Sequence, residues 1–406
     1  MTSRTLVPMN SGEFSRRVRD LLRDRDMSVR AVARHLNYDH AYLSRVLCGK
    51  QQPSRQLVTA LDHLLKTDGE LAAIAIRVAP PTDSPDATES PALTDRILRL
   101  NEARGADFVQ AIRETSHRLV VLDNELGGVS VAEPAGRAFK VVHRRLGAGD
   151  YDHRYERDIQ SAAAELAEVA GWALWDAERD DAAQRFNHEA LLLARLSGDR
   201  SIELLTLQNM AMQSEWRGRN QEALSIARSV LNRRRLSPRV EAMFRIREAK
   251  GLVGTGRTSD AIESLERARS LIEDSNDVGE PDWAWWVTRG EIDRQWGHTL
   301  QIAGDVQKAI ELLLQSVQPG RDVTTGYSSE RVARLAQCLL DVNAWRDAED
   351  IVRSLVTAAP SISSGRTLRL IGHVAKQRER LNGAPSSLTD TLEHLAEKLD
   401  EDPFTL

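Results

Sequence analysis

The stretch SVRAVARHLNYDHAYLSRVLCGKQQP, Ser28 to Pro53, decides how the beginning of the chain is built. Val29, Val32, Ala33 and Leu36 recur at helical spacing behind Ser28, whose hydroxyl suits an N-cap. Asn37 follows, and asparagine tolerates the left-handed conformation that a tight turn between helices needs. From Asp39, a second N-cap candidate, the spacing predicts another helix with Leu43 and Val46 facing inward. Gly49 ends it and Pro53 prevents its resumption. Ala33 stands where two short helices cross closely, and a bulkier side chain there would push them apart.

Taken together, Ser28, Ala33, Leu43, Ser44, Gly49, Lys50 and Pro53 resemble the Cro/C1-type (XRE) helix-turn-helix over roughly Phe14 to Leu71. Leu47 departs from the pattern, where that family usually has Glu, and Asn37 replaces the usual turn glycine. The resemblance implies double-stranded DNA as the partner, with His40, Ala41 and Arg45 of the second helix aimed at base edges. Their chemistry suits the role: Arg can bond both guanine acceptors, His can donate to a purine nitrogen, and an Ala methyl can pack on a thymine methyl. It further implies phosphate contacts from the backbone N–H groups at Ser28 and Val29 and from Lys50 and Arg55, with Tyr42 reaching a phosphate or sugar. A four- or five-helix adaptor domain, with these polar residues merely solvated, is the competing reading.

Charge agrees with a phosphate-facing beginning. Residues 1–77 hold 13 Lys and Arg against 8 Asp and Glu, a net of +5, while the whole chain of 406 residues carries −5, so the remainder carries −10. A basic first domain on an acidic body is the distribution expected when only that domain meets nucleic acid. No apolar run approaches the ~18 residues of a membrane span, and no signal pattern opens the chain, so a cytoplasmic protein without membrane contact is expected. Cys48 and Cys338 lie far apart, and His143 and His153 have no companion ligands, so neither a disulfide framework nor a metal or other cofactor is expected.

The length suits two or three domains. Phe14, Val18, Leu21 and Leu22 mark a helix before the quoted stretch, and Leu57, Leu61, Leu64 and Leu65 one after it. Residues 11–78 therefore read as the first domain. Residues 79–93 read as a Pro-rich linker, since APPTDSPDATESP has four prolines and no large apolar group. Residues 94–157 read as connecting helices, with helical pattern from Thr94 to Leu126 and from Ala135 to Leu146, and as a candidate dimerisation element. No convincing strand occurs, so the fold class is all-α.

Repeats start near Asp158. Aligned on a small residue they give Ala183, Ala223, Ala261, Ala309 and Ala348, at intervals of 40, 38, 48 and 39. These exceed the 34 of a strict tetratricopeptide repeat, the extra residues falling in turns. The unit with Trp296, Gly297, Leu300, Gly304, Ala309 and Leu313 is most similar to the tetratricopeptide pattern, and Gly297 with Ala309 would let two helices approach closely. The reading is a tetratricopeptide-like helical solenoid over 158–360 and a helical cap over 361–406. The arrangement resembles actinobacterial regulators that join an XRE helix-turn-helix to such a domain, especially over AAAELAEVAGWALWDAERDDAAQRF, Ala162 to Phe186.

In a tetratricopeptide array the first helix of each hairpin lines the concave face. Carried onto this chain, that geometry implies an effector-binding groove at Trp172, Trp175, Asp176, Gln208, Met212, Glu215, Trp216 and His298, with Lys250, Glu291 and Arg294 further along. The alternative is that Trp172 and Trp175 are simply core. Carboxylate pairs such as Glu165 with Glu168 read as solvated faces, and GLVGTGRTS at Gly251–Ser259 as a hairpin turn with Arg where a phosphate-loop lysine belongs. No enzymatic activity is expected. The function expected is a homodimeric transcriptional regulator whose DNA binding responds to a peptide, small molecule or protein partner; the alternative is a non-enzymatic protein-interaction scaffold.

Overall fold

The computed structural model describes residues 11–25, 27–36, 40–48, 55–65, 67, 71, 89–232, 235–273, 279–316, 326–381 and 383–400. Every regular element among them is helical, and none of these helices is long and apolar enough to cross a membrane. The chain divides between Thr88 and Glu89 into two compact units.

The first unit holds α1 (Ser11–Asp24), α2 (Val29–His35), α3 (His40–Leu47) and α4 (Arg55–Leu65). Its core joins Phe14 and Val18 of α1, Val32 and Ala33 of α2, Leu43 and Val46 of α3, and Leu57 and Leu61 of α4, all buried. Burial of each large aliphatic side chain contributes roughly 1.5–3 kcal/mol, which suffices for a unit this small only because the helices share one core. Leu47 is also buried, so the apolar residue replacing the family's Glu packs inward. Ser15 Oγ donates to the Val46 carbonyl at 2.6 Å and ties α1 to α3.

The second unit begins with α5 (Glu89–Glu102), α6 (Gly105–Leu126) and α7 (Gly128–Ala148). Residues 89–93, expected in the linker, form the first turn of α5, with Leu93 buried. Pro91 fits because the first N–H groups of a helix have no intrahelical partner. The single helical pattern from Thr94 to Leu126 is broken at Ala103–Arg104, where Gly105 takes φ +55°. Arg145 makes the break possible: its guanidinium donates to the Leu100 and Ala103 carbonyls at 2.7 and 2.9 Å and lies 3.8 Å over the Phe108 ring. The next helix opens at Gly128, earlier than Ala135, and carries Pro134 inside it.

After α7 come α8 (Glu156–Asp176), α9 (Asp180–Ser197), α10 (Arg200–Trp216), α11 (Asn220–Leu231), α12 (Pro238–Gly254), α13 (Thr258–Glu273), α14 (Arg289–Ala303), α15 (Val306–Ser316), α16 (Gly326–Asp341), α17 (Trp345–Ala358), α18 (Gly365–Lys376) and α19 (Ser386–Asp400). From α6 onward they pair as hairpins, and the first helix of each hairpin also packs on the first helix of the next. Stacking of this kind buries a continuous core that no hairpin could bury alone. Ala183, Ala223, Ala261, Ala309 and Ala348 are each 0 % exposed, so the small residue shared by the repeats is the contact point of successive helices. A Cβ added to Gly297 would lie 3.0 Å from Leu313 Cγ, which is the close approach of α14 and α15 that glycine permits. The longest interval, Ala261 to Ala309, includes a short 3-10 helix, Asp282–Trp286, whose Trp283 indole donates to Ser201 Oγ at 2.8 Å.

The C-terminal helices do more than cover the last repeat. The start of α18 returns to the end of α8 and the start of α7. There Ser364 Oγ donates to Asp176 at 2.8 Å and the Val129 N–H to the Ser363 carbonyl at 3.3 Å. The row of first helices is thereby closed into a ring with an inner face of its own.

Candidate functional site

Two places collect the residues singled out above. In the first unit, Ser28 caps α2, its Oγ accepting from the Ala31 N–H at 3.1 Å, and Val29 packs against the core from the edge. The buried Leu43, Val46 and Leu47 define the inward side of α3, the helix to which Ala41 and Arg45 belong. His40 and Tyr42 also belong to α3, and Arg55 is the first residue of α4. Asn37, Asp39, Gly49, Lys50 and Pro53 lie outside the described residues.

Here α2 and α3 pack together, α1 packs on α3, and Ala33 is buried in the core they share. Residues 13–74 match the family model of the helix-turn-helix domain. The matched residues run through α1 to α4, and the helix-turn-helix is a DNA-binding module. No curated protein matches the chain.

The second place is the inner face of the ring, to which α8, α10, α12, α14, α16 and α18 bring charged or aromatic side chains. At one point Trp172, Trp175 and Trp216 surround Arg366, whose guanidinium stands 5.8, 3.6 and 5.7 Å from the three rings. Arg366 Nε and Nη2 both donate to Asp176, at 3.0 and 2.8 Å, and the Gly128 N–H donates to the same carboxylate at 3.2 Å. Trp175 and Asp176 are groove residues in the effector reading, with core as the alternative for Trp175. They are instead buried, because α18 closes over them and the arginine it carries satisfies the carboxylate.

A polar chain runs on from there. Asn209 donates to Glu168 at 2.6 Å and is bonded by its neighbour Gln208, which accepts from Arg247 at 3.0 and 3.1 Å. Glu168 is therefore no solvated face residue. Burial pushes its carboxyl up to about 7 against the pull of the Asn209 bond. Asp123 is likewise raised to about 7 by burial and by the Asp176 charge. Met212 packs against the apolar core beside these residues.

Beyond Arg247 the inner face turns cationic. Lys250 Nζ meets His298 Nδ1, and Arg334 meets the other ring nitrogen, Nε2, at 2.5 Å. Arg294 bonds Glu291 at 2.6 and 2.9 Å and lies 3.6 Å from Glu330, which also accepts from Arg334 at 3.1 Å. Burial would raise Glu330, yet Arg294 and Arg334 hold it well below the carboxylate range. Burial and the neighbouring guanidiniums of Arg334 and Arg294, with Lys250 between them in effect, drive His298 well below its ordinary value.

Of the predicted effector residues, the ring thus groups Trp172, Trp175, Asp176 and Trp216 around Arg366, and Gln208 and His298 in the polar network, with Glu215 acting on Lys250 through its charge. Arg247, Glu330, Arg334 and Arg366 escaped sequence reading. Glu330 and Arg334 stand four apart on one helix, a pattern that ordinarily marks a solvated ion pair. Nothing in the sequence around Arg366 separates it from a surface arginine.

Proposed function

We propose that the protein is a sequence-specific DNA-binding transcriptional regulator of the Cro/C1 (XRE) kind, acting in the cytoplasm as a homodimer without enzymatic activity, and that an effector bound on the inner face of the tetratricopeptide-like ring modulates it. The observation that carries the reading is the helix-turn-helix match over residues 13–74, within a first 77 residues of net charge +5 in an otherwise acidic chain. The base-reading residues assigned are His40, Ala41 and Arg45. Phosphate contacts fall to Lys50, Arg55, Tyr42 and the backbone at Ser28 and Val29. A reading helix spans only a few base pairs, so useful affinity asks for two-fold symmetry with half-sites ~34 Å apart or a multiple of it. The actinobacterial likeness of Ala162–Phe186 belongs to the same proposal.

A protein-interaction scaffold is the competing function. It draws less support because α18 packs against Asp176 at the end of α8 and covers part of the face that a protein tail would occupy. Selection of bound duplexes from a random pool tests the regulator reading. An inverted or near-inverted repeat is the expected product, and a pool that enriches no sequence overturns it. Sedimentation of the full chain beside fragment 1–78 tests the dimer. The full chain is expected to self-associate more strongly, since the apolar residues of the small unit are used in its own core.

A further inference from the structure

On the inner face α12 carries two buried cations without an ion-pair contact. Arg247 and Lys250, one turn apart and on one side of that helix, are 4 and 2 % exposed. Among the described residues neither has a carboxylate within ion-pair distance. Arg247 donates only to the Gln208 carbonyl, and Lys250 meets only His298. Of the nearby carboxylates, Glu291 bonds Arg294 and Glu330 bonds Arg334 and Arg294, while Glu215 acts on both cations through its charge without ion-pair contact. Burying a cation with no carboxylate in contact is unfavourable, so a site built this way sheds a proton or takes up an anion.

The geometry around His298 indicates how both happen. A guanidinium can only donate, so Arg334 requires Nε2 of His298 as an acceptor. A neutral imidazole then carries its proton on Nδ1 and donates it to Lys250 Nζ, which accepts as an uncharged amine. Around Lys250, Glu215 and Glu330 favour the ammonium while Arg334 and Arg294 oppose it, and burial outweighs them all. Solvent still reaches this part of the ring, since Glu291, Arg294 and Glu330 keep 15, 15 and 14 % of their side-chain surface.

We propose that Arg247, Lys250 and His298 form the recognition site for a small-molecule anion, a carboxylate or phosphate, whose binding converts Lys250 from amine to ammonium. The proposal rests on reading the inner face of the ring as the effector site. The anion accepts from the Arg247 guanidinium, from the Lys250 ammonium and from His298 Nδ1–H, which loses its acceptor when the amine is protonated. The proton comes from solvent, and Arg334 keeps its bond to Nε2 throughout. A guanidinium one turn from Lys250 on the same side of α12, with His298 in contact with that lysine, offers an anion both orientation and affinity.

The test is calorimetric titration of the full chain with inorganic phosphate and, separately, with succinate, in two buffers of different ionisation heat at about pH 8, above the value of about 7 to which burial lowers Lys250. Saturable binding of at least one probe is expected, with uptake approaching one proton per anion that fades as the pH falls below about 6. Which probe saturates separates a carboxylate ligand from a phosphate. Lys250→Met is expected to weaken that binding at least tenfold and to abolish the proton uptake. Should Lys250→Met lose its helical circular dichroism, the proton uptake of the wild-type chain decides alone. Absence of saturable binding by either probe, binding without proton uptake, or binding unchanged in a folded Lys250→Met chain overturns the proposal. Anion binding as expected, in a chain that enriches no DNA sequence, leaves the site standing and removes the regulator reading instead.

Discussion

Arg366 bonds Asp176 across 190 residues of chain, with Nε at 3.0 Å and Nη2 at 2.8 Å from one carboxylate oxygen. Both side chains are nearly inaccessible, at 6 and 3 % exposure. Such a pair adds little over an apolar replacement of both partners, but removing one partner strands the other as a buried charge, at a cost of about 3–5 kcal/mol. Arg366→Met is therefore expected to lower the urea midpoint of the full chain and to speed amide exchange in α18 selectively. An unchanged midpoint with unchanged exchange there would show that the ring closes without this pair.

The buried carboxyls make stability depend on pH in a calculable direction. Folding raises Asp123 and Glu168 to about 7, in each case chiefly through burial. Between the ordinary carboxyl range and that value the folded chain binds more protons than the unfolded one, so this part of the stability is present at low pH and lost as the pH rises through about 7. Lys250, lowered to about 7, acts oppositely and only above that pH, where stability from it rises. Comparing Glu168→Gln with wild type at each pH cancels the lysine. The variant should gain up to about 3 kcal/mol at pH 8 and nothing near pH 4, by chemical denaturation. A gain that does not vary with pH would count against a shifted Glu168.

Two glycines of one helix should respond to alanine in opposite ways. A Cβ on Gly128 would lie 2.5 Å from Asp176 Cβ, whereas one on Gly147 meets nothing within 4 Å. Gly128→Ala is expected to destabilise by ~1–3 kcal/mol through overpacking at the ring closure. Gly147→Ala should stabilise by ~0.5–1 kcal/mol, since alanine loses less backbone freedom in a helix. Melting curves of the two variants, each against wild type, check the pair; shifts of the same sign would contradict the close approach at Gly128.

On the DNA side, Arg45 and Lys50 are assigned different work. Arg45→Ala should cost ~1–3 kcal/mol on the selected duplex and relax one position of the site. Lys50→Ala should weaken all duplexes alike and flatten the dependence of affinity on salt. Equilibrium binding at several salt concentrations, on the selected and a scrambled duplex, distinguishes them. A Lys50→Ala chain with altered sequence preference, or an Arg45→Ala chain without it, would reverse the assignment.

Much of the architecture was legible from residue order because the signals are local. The spacing of Val32, Ala33, Leu43 and Val46 forecasts which sides of α2 and α3 are buried. The repeating alanine, from Ala183 to Ala348, forecasts where successive helices touch. Periodicity speaks for such positions since helix geometry alone decides which residues share a side. The break at Gly105 was not legible, because what stabilises it is Arg145, some forty residues later, accepting the work of satisfying two freed carbonyls.

The inner face follows the same division. That the first helix of each hairpin turns Trp172, Trp216 and His298 inward is a consequence of hairpin order, and residue spacing carries it. Which charges meet there is not a local property. Asp176 became a buried ion-pair partner, Glu168 a buried acid and Lys250 a desolvated lysine once the array curved far enough for α18 to reach α8. From the sequence Glu168 reads as a solvated face and Asp176 and Lys250 as groove residues, and their partners stay hidden, since a pattern of i and i+4 spacing is the same on an outer surface and on the inside of a ring. The curvature that separates the two cases accumulates from small rotations between successive hairpins, and no single residue records it.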